Sequence, residues 1–378
     1  MRRIVVIVSG LLSLPERESY LRQTLPNLAR LAEISAISKV AASPKTITPE
    51  SYLFGLPPDL IRLAQGPLTV SALGFDPPEK STHFHLSLMS YVDGLASFPK
   101  ALPTHEEVEL LLSLVKKLDS RFLTTCKGEG LDHGLVWESL GDLGTTRASD
   151  VEGNPIREHL PEGDADRLLR RYIDDSINLF SELEMNERRI DEGLSPFNLL
   201  WPWGQGVRHS CPNLALKRGE PVFVESSSMR LAGLTRLVGY RHGDRSALGR
   251  GLALKLRKMA TNLWSKDASI GFVDVPLELR QMGREEELGW FIKHLDQEFI
   301  APLLENHLKE PSRLTFVTPG PIQPTQFEQM VPSPIGLSLS AETAVPSSNI
   351  YPCDERALDE RSIPLKDLWS LIEVGIVQ

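Results

Sequence analysis

Ile4-Val5-Val6-Ile7-Val8-Ser9-Gly10 is the stretch of sequence that indicates the fold. Five consecutive β-branched apolar residues are typical of a strand buried on both faces, as strands are in parallel sheets. Similar short runs recur at Val222-Phe223-Val224, at 270–275 and at 314–317. The arginines before Ile4 would also fit a signal peptide, but Ser9-Gly10 interrupts the apolar run, so we favour a strand.

Helical patterns lie between these runs. Apolar residues recur with helical spacing over 168–180 and 288–303, and a third helix is predicted over 252–264. Strands that alternate with helices favour a doubly wound, mainly parallel α/β sheet flanked by helices.

The stretch 79–150 has a different pattern. A half-buried strand is predicted over 83–92, and Thr104 and Glu107 form a capping box that opens a helix predicted to reach Leu118. Two more strands are expected near 121–125 and 133–137. We therefore predict a small α+β domain at 79–150, inserted into a core domain made of 1–78 and 151–378. The proline- and serine-rich stretch 319–351 is predicted to be irregular.

Composition excludes some classes of function. The chain of 378 residues has a formal net charge of −9 and no lysine- or arginine-rich run, which argues against a nucleic-acid partner. No apolar stretch reaches the roughly 20 residues that cross a bilayer, so no membrane partner is expected. Three scattered cysteines, Cys126, Cys211 and Cys353, indicate reduced thiols and a cytoplasmic protein rather than a disulfide framework.

One segment is distinctive enough to suggest a family. Trp201-Pro202-Trp203-Gly204-Gln205-Gly206 resembles the Trp-Leu-Trp-Gly-Gln-Gly segment of the archaeal-type, 2,3-bisphosphoglycerate-independent phosphoglycerate mutases. Four further segments resemble parts of that family in the same order, namely 65–74, 131–137, 153–161 and 185–189. The resemblance runs from the first strand to about residue 350.

The resemblance implies a fold and a chemistry. Members of this family have an alkaline-phosphatase-like fold and interconvert 3-phosphoglycerate and 2-phosphoglycerate. A serine activated by two divalent cations, Mn or Mg, attacks the phosphoryl group, and the cations neutralise the charge on its oxygens. The position of that serine falls near Thr46.

This sequence departs from the family pattern at the metal ligands. The resemblance implies aspartate or histidine ligands at positions that are now Ser9, Leu277, Gln281, Gly320, Pro321 and Glu328. Leucine, glycine and proline side chains cannot bind a metal. No resident metal or other cofactor is therefore expected.

The substrate-binding residues differ as well. The resemblance places family arginines at Gln65, His85 and Asp132, and neither glutamine nor histidine replaces an arginine fork for phosphate. The expected remnants of the substrate site are Asp150, Lys255 and Asn198.

Two hypotheses follow. The first is a non-catalytic binding or regulatory protein whose partner is an unknown protein or a small anionic ligand. The alternative is an active metal-dependent mutase or phosphatase with relocated ligands, drawn from Asp274, Glu278, Glu328, His83 and His85. His83 and His85 share one face of a strand and could seed a metal site, although a plain polar pair is the preferred interpretation. Arg208 with His209 could touch an anion, although a surface loop is preferred there.

Overall fold

A computed structural model describes residues 2–11, 25–41, 63–99, 101, 103–164, 166–208, 210–281, 283–324, 330–342 and 362–364. The chain packs into two compact units. The first unit comprises Met1–Ile61, Pro212–Ser228 and Val238–Gln378, and the second comprises Arg62–Cys211 and Met229–Leu237. The boundaries 79–150 for an inserted domain stay a prediction.

The strands, in chain order, are β1 Arg2–Val8, β2 Ala36–Ala41, β3 Thr82–Val92, β4 Leu95–Ser97, β5 Leu123–Glu129, β6 Asp132–Trp137, β7 Leu143–Gly144, β8 Glu162–Gly163, β9 Leu199–Gly206, β10 Phe223–Ser226, β11 Arg241–His242, β12 Ala268–Val273, β13 Ser312–Pro324, β14 Met330–Glu342 and β15 Ser362–Pro364. The helices are α1 Pro26–Glu33, α2 Gln65–Ala72, α3 His105–Val115, α4 Ala148–Val151, α5 Asp166–Ser181, α6 Glu184–Asp191, α7 Leu214–Arg218, α8 Met229–Leu237, α9 Arg245–Leu248, α10 Leu256–Trp264, α11 Val275–Gln281, α12 Glu285–Leu295 and α13 Ala301–His307.

The first unit contains an eight-stranded sheet with the order β11-β10-β12-β1-β13-β14-β2-β15. Five neighbouring strands run parallel to one another, namely β11, β10, β12, β1 and β13. β14 runs antiparallel to both β13 and β2, and β15 is parallel to β2. The expectation of a mainly parallel α/β sheet flanked by helices is confirmed.

The predicted first strand lies in the middle of this sheet. Ile4–Val8 is buried, and Ile4, Val6 and Val8 pack into one core with side chains of α1 and α10–α13. A π-helical turn, Asp296–Ile300, joins α12 to α13. Buried Asp296 uses its carboxylate to accept hydrogen bonds from the backbone N–H groups of Asn27 and Leu28, which fixes the start of α1.

Two details of the first unit correct the sequence prediction. The stretch predicted to be irregular instead forms strand over 319–324 and 330–342, because its backbone pairs with neighbouring strands. Ile335, Leu337 and Leu339 alternate there with small residues, which is a strand pattern that serine content obscured. The helix predicted over 252–264 begins only at Leu256, since Gly251–Ala253 forms a 3₁₀ turn.

The second unit is an antiparallel sheet between two helical layers. β3 pairs with β6 on one side and β9 on the other, and β5 and β4 complete the sheet. α2 lies on one face with α8 against it, and α3, α5 and α6 contribute to the core on the other face. The prediction that β3 is half-buried was wrong for most of its length, because α2 covers the face that was expected to be exposed.

The capping box at Thr104 is confirmed. Thr104 Oγ1 accepts from the Glu107 N–H, and the Glu107 carboxylate accepts from the Thr104 N–H. The helix it opens ends at Val115 rather than Leu118. Across the described part of the chain, no helix is both long enough and apolar enough to span a bilayer.

Candidate functional site

The carboxyl end of β1 is the place where the resemblance puts a metal-binding aspartate. Ser9 follows the strand, and its N–H donates to Val273 O at 2.9 Å. The side chain is fully buried, and its Oγ has no hydrogen-bond partner among the described residues. A buried hydroxyl of this kind is neutral, and it is a weaker metal ligand than a carboxylate.

Helix α11 packs directly on the next residue. Gly10 has φ of +77°, and a Cβ there would lie 2.5 Å from the backbone N and Cα of Leu277, so only glycine fits. The Arg280 guanidinium donates to Gly10 O at 2.7 Å and to Leu11 O at 3.3 Å. The loop after β1 is therefore held by α11 and by a cationic side chain.

The other predicted ligand positions lie on separate elements. Gln281 is the last residue of α11, and Gly320 and Pro321 lie within β13, where Gly320 pairs with Ser333. Thr46 and Glu328 lie outside the described residues.

The candidates for relocated ligands fall into both units. Asp274 follows β12 and Glu278 lies in α11, both in the first unit, whereas His83 and His85 lie in β3 of the second. No set of three histidine, cysteine, aspartate or glutamate side chains within the described ranges is grouped so that it could hold a metal ion.

In the second unit, the three positions that the resemblance assigns to arginines belong to one hydrogen-bonded network. Gln65 Nε2 donates to Thr69 Oγ1 at 3.2 Å, and Thr69 Oγ1 lies 2.8 Å from His85 Nδ1. His85 Nε2 lies 3.1 Å from the Asp132 carboxylate. We call these four residues the His85 network.

Proton placement in the His85 network follows from its partners. The Asp132 carboxylate can only accept, so His85 Nε2 carries a hydrogen, and in the neutral ring Nδ1 accepts the Thr69 hydroxyl hydrogen. The ring also meets the edge of Trp203, with centroids 4.9 Å apart. Both ring nitrogens of His85 are therefore used inside the protein.

The predicted substrate-binding remnants have different surroundings. Asp150 in α4 and Lys255 before α10 are exposed. Asn198 is buried, and its amide accepts from Tyr91 N at 2.7 Å and donates to Tyr91 O at 3.0 Å. These bonds give Asn198 a structural role. Substrate binding by Asp150, Lys255 or Asn198 stays a prediction.

A cavity of about 360 Å³ lies on the flank of α2, entirely within the second unit. Its lining includes Ser71, Asp76, His83, Arg208 and Arg236, and we call it the arginine pocket. Arg208 forms an ion pair with Asp76. Sequence reasoning singled out Arg208 as a possible anion contact but missed Arg236, which nothing in the sequence distinguishes from other surface arginines.

His83 is buried beside this cavity. Ser81 Oγ gives its only hydrogen to Pro78 O, so it must accept from His83 Nε2, 2.9 Å away. The other nitrogen, Nδ1, has no hydrogen-bond partner among the described residues. Burial, with the nearby Arg208 charge as a second cause, lowers the pKa of His83 to about 4, so the ring is neutral at pH 7.

Several curated proteins are similar to this chain. A 2,3-bisphosphoglycerate-independent phosphoglycerate mutase of Methanothrix thermoacetophila is 26% identical over 74% of either chain. A second mutase, from Methanothermobacter thermautotrophicus, is 23% identical over 99% of this chain and 97% of its own. No family model matches the sequence.

Solved structures place the fold in a class. The PH0037 protein of Pyrococcus horikoshii matches with a TM-score of 0.65 and 16% identity, over 94% of this chain and 91% of its own. The cofactor-independent phosphoglycerate mutase of Thermoplasma acidophilum matches with a TM-score of 0.56 and 17% identity over 98% of either chain. The fold is thus that of the cofactor-independent phosphoglycerate mutase class.

Within that class, the sequence matches identify a type. The chain is a divergent relative of the archaeal-type, 2,3-bisphosphoglycerate-independent phosphoglycerate mutases. The resemblance carried by 201–206 and the four collinear segments is confirmed.

Proposed function

We propose that this chain retains the mutase scaffold without the two-metal reaction, and that it acts as a binding or regulatory protein. One observation carries the proposal. At the end of β1, Leu277 of α11 packs on Gly10, and Arg280 donates to the carbonyls of Gly10 and Leu11. A leucine cannot ligate a metal, and a guanidinium nearby repels a cation.

The His85 network supports the same proposal. A mutase of this class must hold a substrate that carries both a phosphate and a carboxylate, and arginine forks are the usual means. Gln65 and His85 are bonded to Thr69 and Asp132 instead, and Asp132 brings a carboxylate that disfavours an anion. The relatives are named for a mutase reaction, but these residues fit neither its metal ions nor its substrate. The location in the cytoplasm stays a prediction.

The test is conversion of 3-phosphoglycerate to 2-phosphoglycerate by the purified full chain with added Mn²⁺, coupled to enolase. We expect no rate above a blank without protein, while an active cofactor-independent mutase works in a parallel reaction. Calorimetry with Mn²⁺ alone should show no saturable site at micromolar concentrations. This second readout separates loss of metal from loss of substrate binding.

The competing outcome is an enzyme with relocated ligands. Asp274 lies directly after β12 and its carbonyl accepts the Glu278 N–H at 3.1 Å, so both carboxylates belong to the carboxyl edge of the sheet. A Mn²⁺-dependent rate that Asp274→Asn or Thr46→Ala abolishes would contradict the proposal and establish the alternative.

A further inference from the structure

The arginine pocket and the His85 network lie on opposite sides of α2. Successive helical residues are rotated by 100°, so Gln65 and Thr69 share one side of the helix. Ser71, which lines the pocket, lies about 200° around the helix from Thr69. The pocket is thus separate from the three positions that the resemblance assigns to arginines.

Charge and shape in the pocket favour a small anion. Arg208 and Arg236 both line it, against a single carboxylate from Asp76. No ion pair involving Arg236 occurs among the residues that the structure describes. A guanidinium presents its N–H groups as a planar fork that matches phosphate oxygens, and two such forks facing one cavity suit a dianion. A volume of about 360 Å³ fits a small molecule rather than a peptide.

The backbone is shaped to admit Arg236. Gly74 has φ of +82°, and a Cβ there would lie 2.9 Å from Arg236 Nη1. A residue with a side chain would be strained and would press on the guanidinium. Gly74 therefore lets Arg236 lie along the loop that leads to Asp76.

Among the described residues, the ion pair between Arg208 and Asp76 is the contact that an anion would have to replace. The Asp76 side chain is 84% exposed and that of Arg208 is 54% exposed. Exposed ion pairs contribute little to stability, so Asp76 can return to solvent when a stronger acceptor arrives. His83 also lines the cavity, and its Nδ1 is buried and has no partner among the described residues.

We propose that the arginine pocket binds a small phosphate monoester through Arg208 and Arg236. This inference rests on the proposed binding role, for which it names a ligand class. It concerns residues outside the His85 network and the carboxyl edge of the sheet. The experiment measures binding and not turnover. The pocket can therefore fail to bind phosphate while the chain still lacks mutase activity, and the chain can show mutase activity while the pocket binds phosphate.

Inorganic phosphate is the probe, titrated into the full chain by calorimetry at constant ionic strength. We expect saturable binding at one site, and Arg208→Gln or Arg236→Gln should weaken it about tenfold, since each removes a charge-assisted hydrogen bond. Asp76→Asn should tighten binding severalfold, because the competing carboxylate is lost. The matched control is Arg171→Gln, which also removes an exposed arginine paired with an aspartate, Asp175, and should change nothing.

Two results would overturn the proposal. One is the lack of saturable phosphate binding to the unchanged chain at concentrations up to about 10 mM. This concentration is far above the dissociation constant expected of a preformed anion site. The other is equal weakening by Arg171→Gln and by the pocket variants, which would indicate screening of net charge. Circular dichroism of each variant shows whether it remains folded, and Asp76→Asn gives a gain of affinity that unfolding cannot produce.

Discussion

His83 and His85 lie two residues apart on the same face of β3, yet their surroundings differ. His85 has a partner for each ring nitrogen, Thr69 and Asp132. His83 bonds to Ser81 through Nε2, and its Nδ1 has no partner among the described residues. The protein thus supplies partners for both nitrogens of His85 but for only one nitrogen of His83. An equivalent position on a strand does not imply an equivalent role.

The change with the largest expected effect disturbs both histidines. A Cβ on Gly66 would lie 2.1 Å from His83 O and 2.7 Å from the Cα of Phe84, so α2 would be forced away from β3. Gly66→Ala should lower the free energy of unfolding by about 3 kcal/mol, through overpacking against a backbone that cannot yield. Urea unfolding followed by tryptophan fluorescence measures it.

A matched glycine variant controls that experiment. Gly144 lies in strand β7 of the same unit, and the nearest atom to its Cβ would be 3.8 Å away. Gly144→Ala should leave the free energy of unfolding nearly unchanged. If Gly66→Ala were equally mild, the close packing of α2 on β3 would be wrong.

The next effect separates the two histidines. His85→Leu deletes two hydrogen bonds and leaves the buried Thr69 hydroxyl without its acceptor. The free energy of unfolding should therefore fall by about 2 to 3 kcal/mol. His83→Leu deletes one hydrogen bond and removes an unpartnered nitrogen, so about 1 kcal/mol or less is expected. The same urea titration compares them, and equal costs would contradict the difference between the two sites.

The smallest effect is electrostatic. Burial is the larger cause of the lowered pKa of His83 and the Arg208 charge the second. Arg208→Gln should therefore raise the pKa of His83 above about 4 while leaving it below its ordinary value of 6.5. Ring NMR signals followed from pH 3.5 to 8 measure this shift. A ring that already titrates at its ordinary value in the unchanged chain would contradict the burial of His83. The other charged residues that line the cavity, Asp76 and Arg236, are the same in the unchanged chain and in the Arg208→Gln variant.

The sign of the linked stability change follows from that pKa. Between about pH 6.5 and 4 the unfolded chain binds a proton at His83 and the folded chain does not. The contribution of His83 to stability is therefore complete above pH 6.5 and is lost as the pH falls towards 4. Burial lowers the pKa of His242 to about 4 as well, so the first unit should lose stability over the same range. His83→Leu should flatten the acid side of the profile, and an unchanged slope would contradict this linkage.

Much of the fold could be predicted because it depends on local patterns. Ile4–Val8 is apolar at every position, and such a run is stable only where both faces are covered. The capping box at Thr104 needs only two residues three positions apart. By contrast, the strand Met330–Glu342 was missed, since its pairing with β13 and β2 comes from chain segments far away in sequence.

The sequence by itself determined the mainly parallel α/β class, the relationship to the mutases and the identity of residues such as Leu277 that cannot bind a metal. Only the tertiary structure decided that Gln65, His85 and Asp132 form one network, because the contacts join a helix to two strands. It alone brought Arg208 and Arg236 into one cavity. Side-chain chemistry and short-range periodicity can be read from a sequence, but the distance between residues remote in the chain depends on how its elements pack.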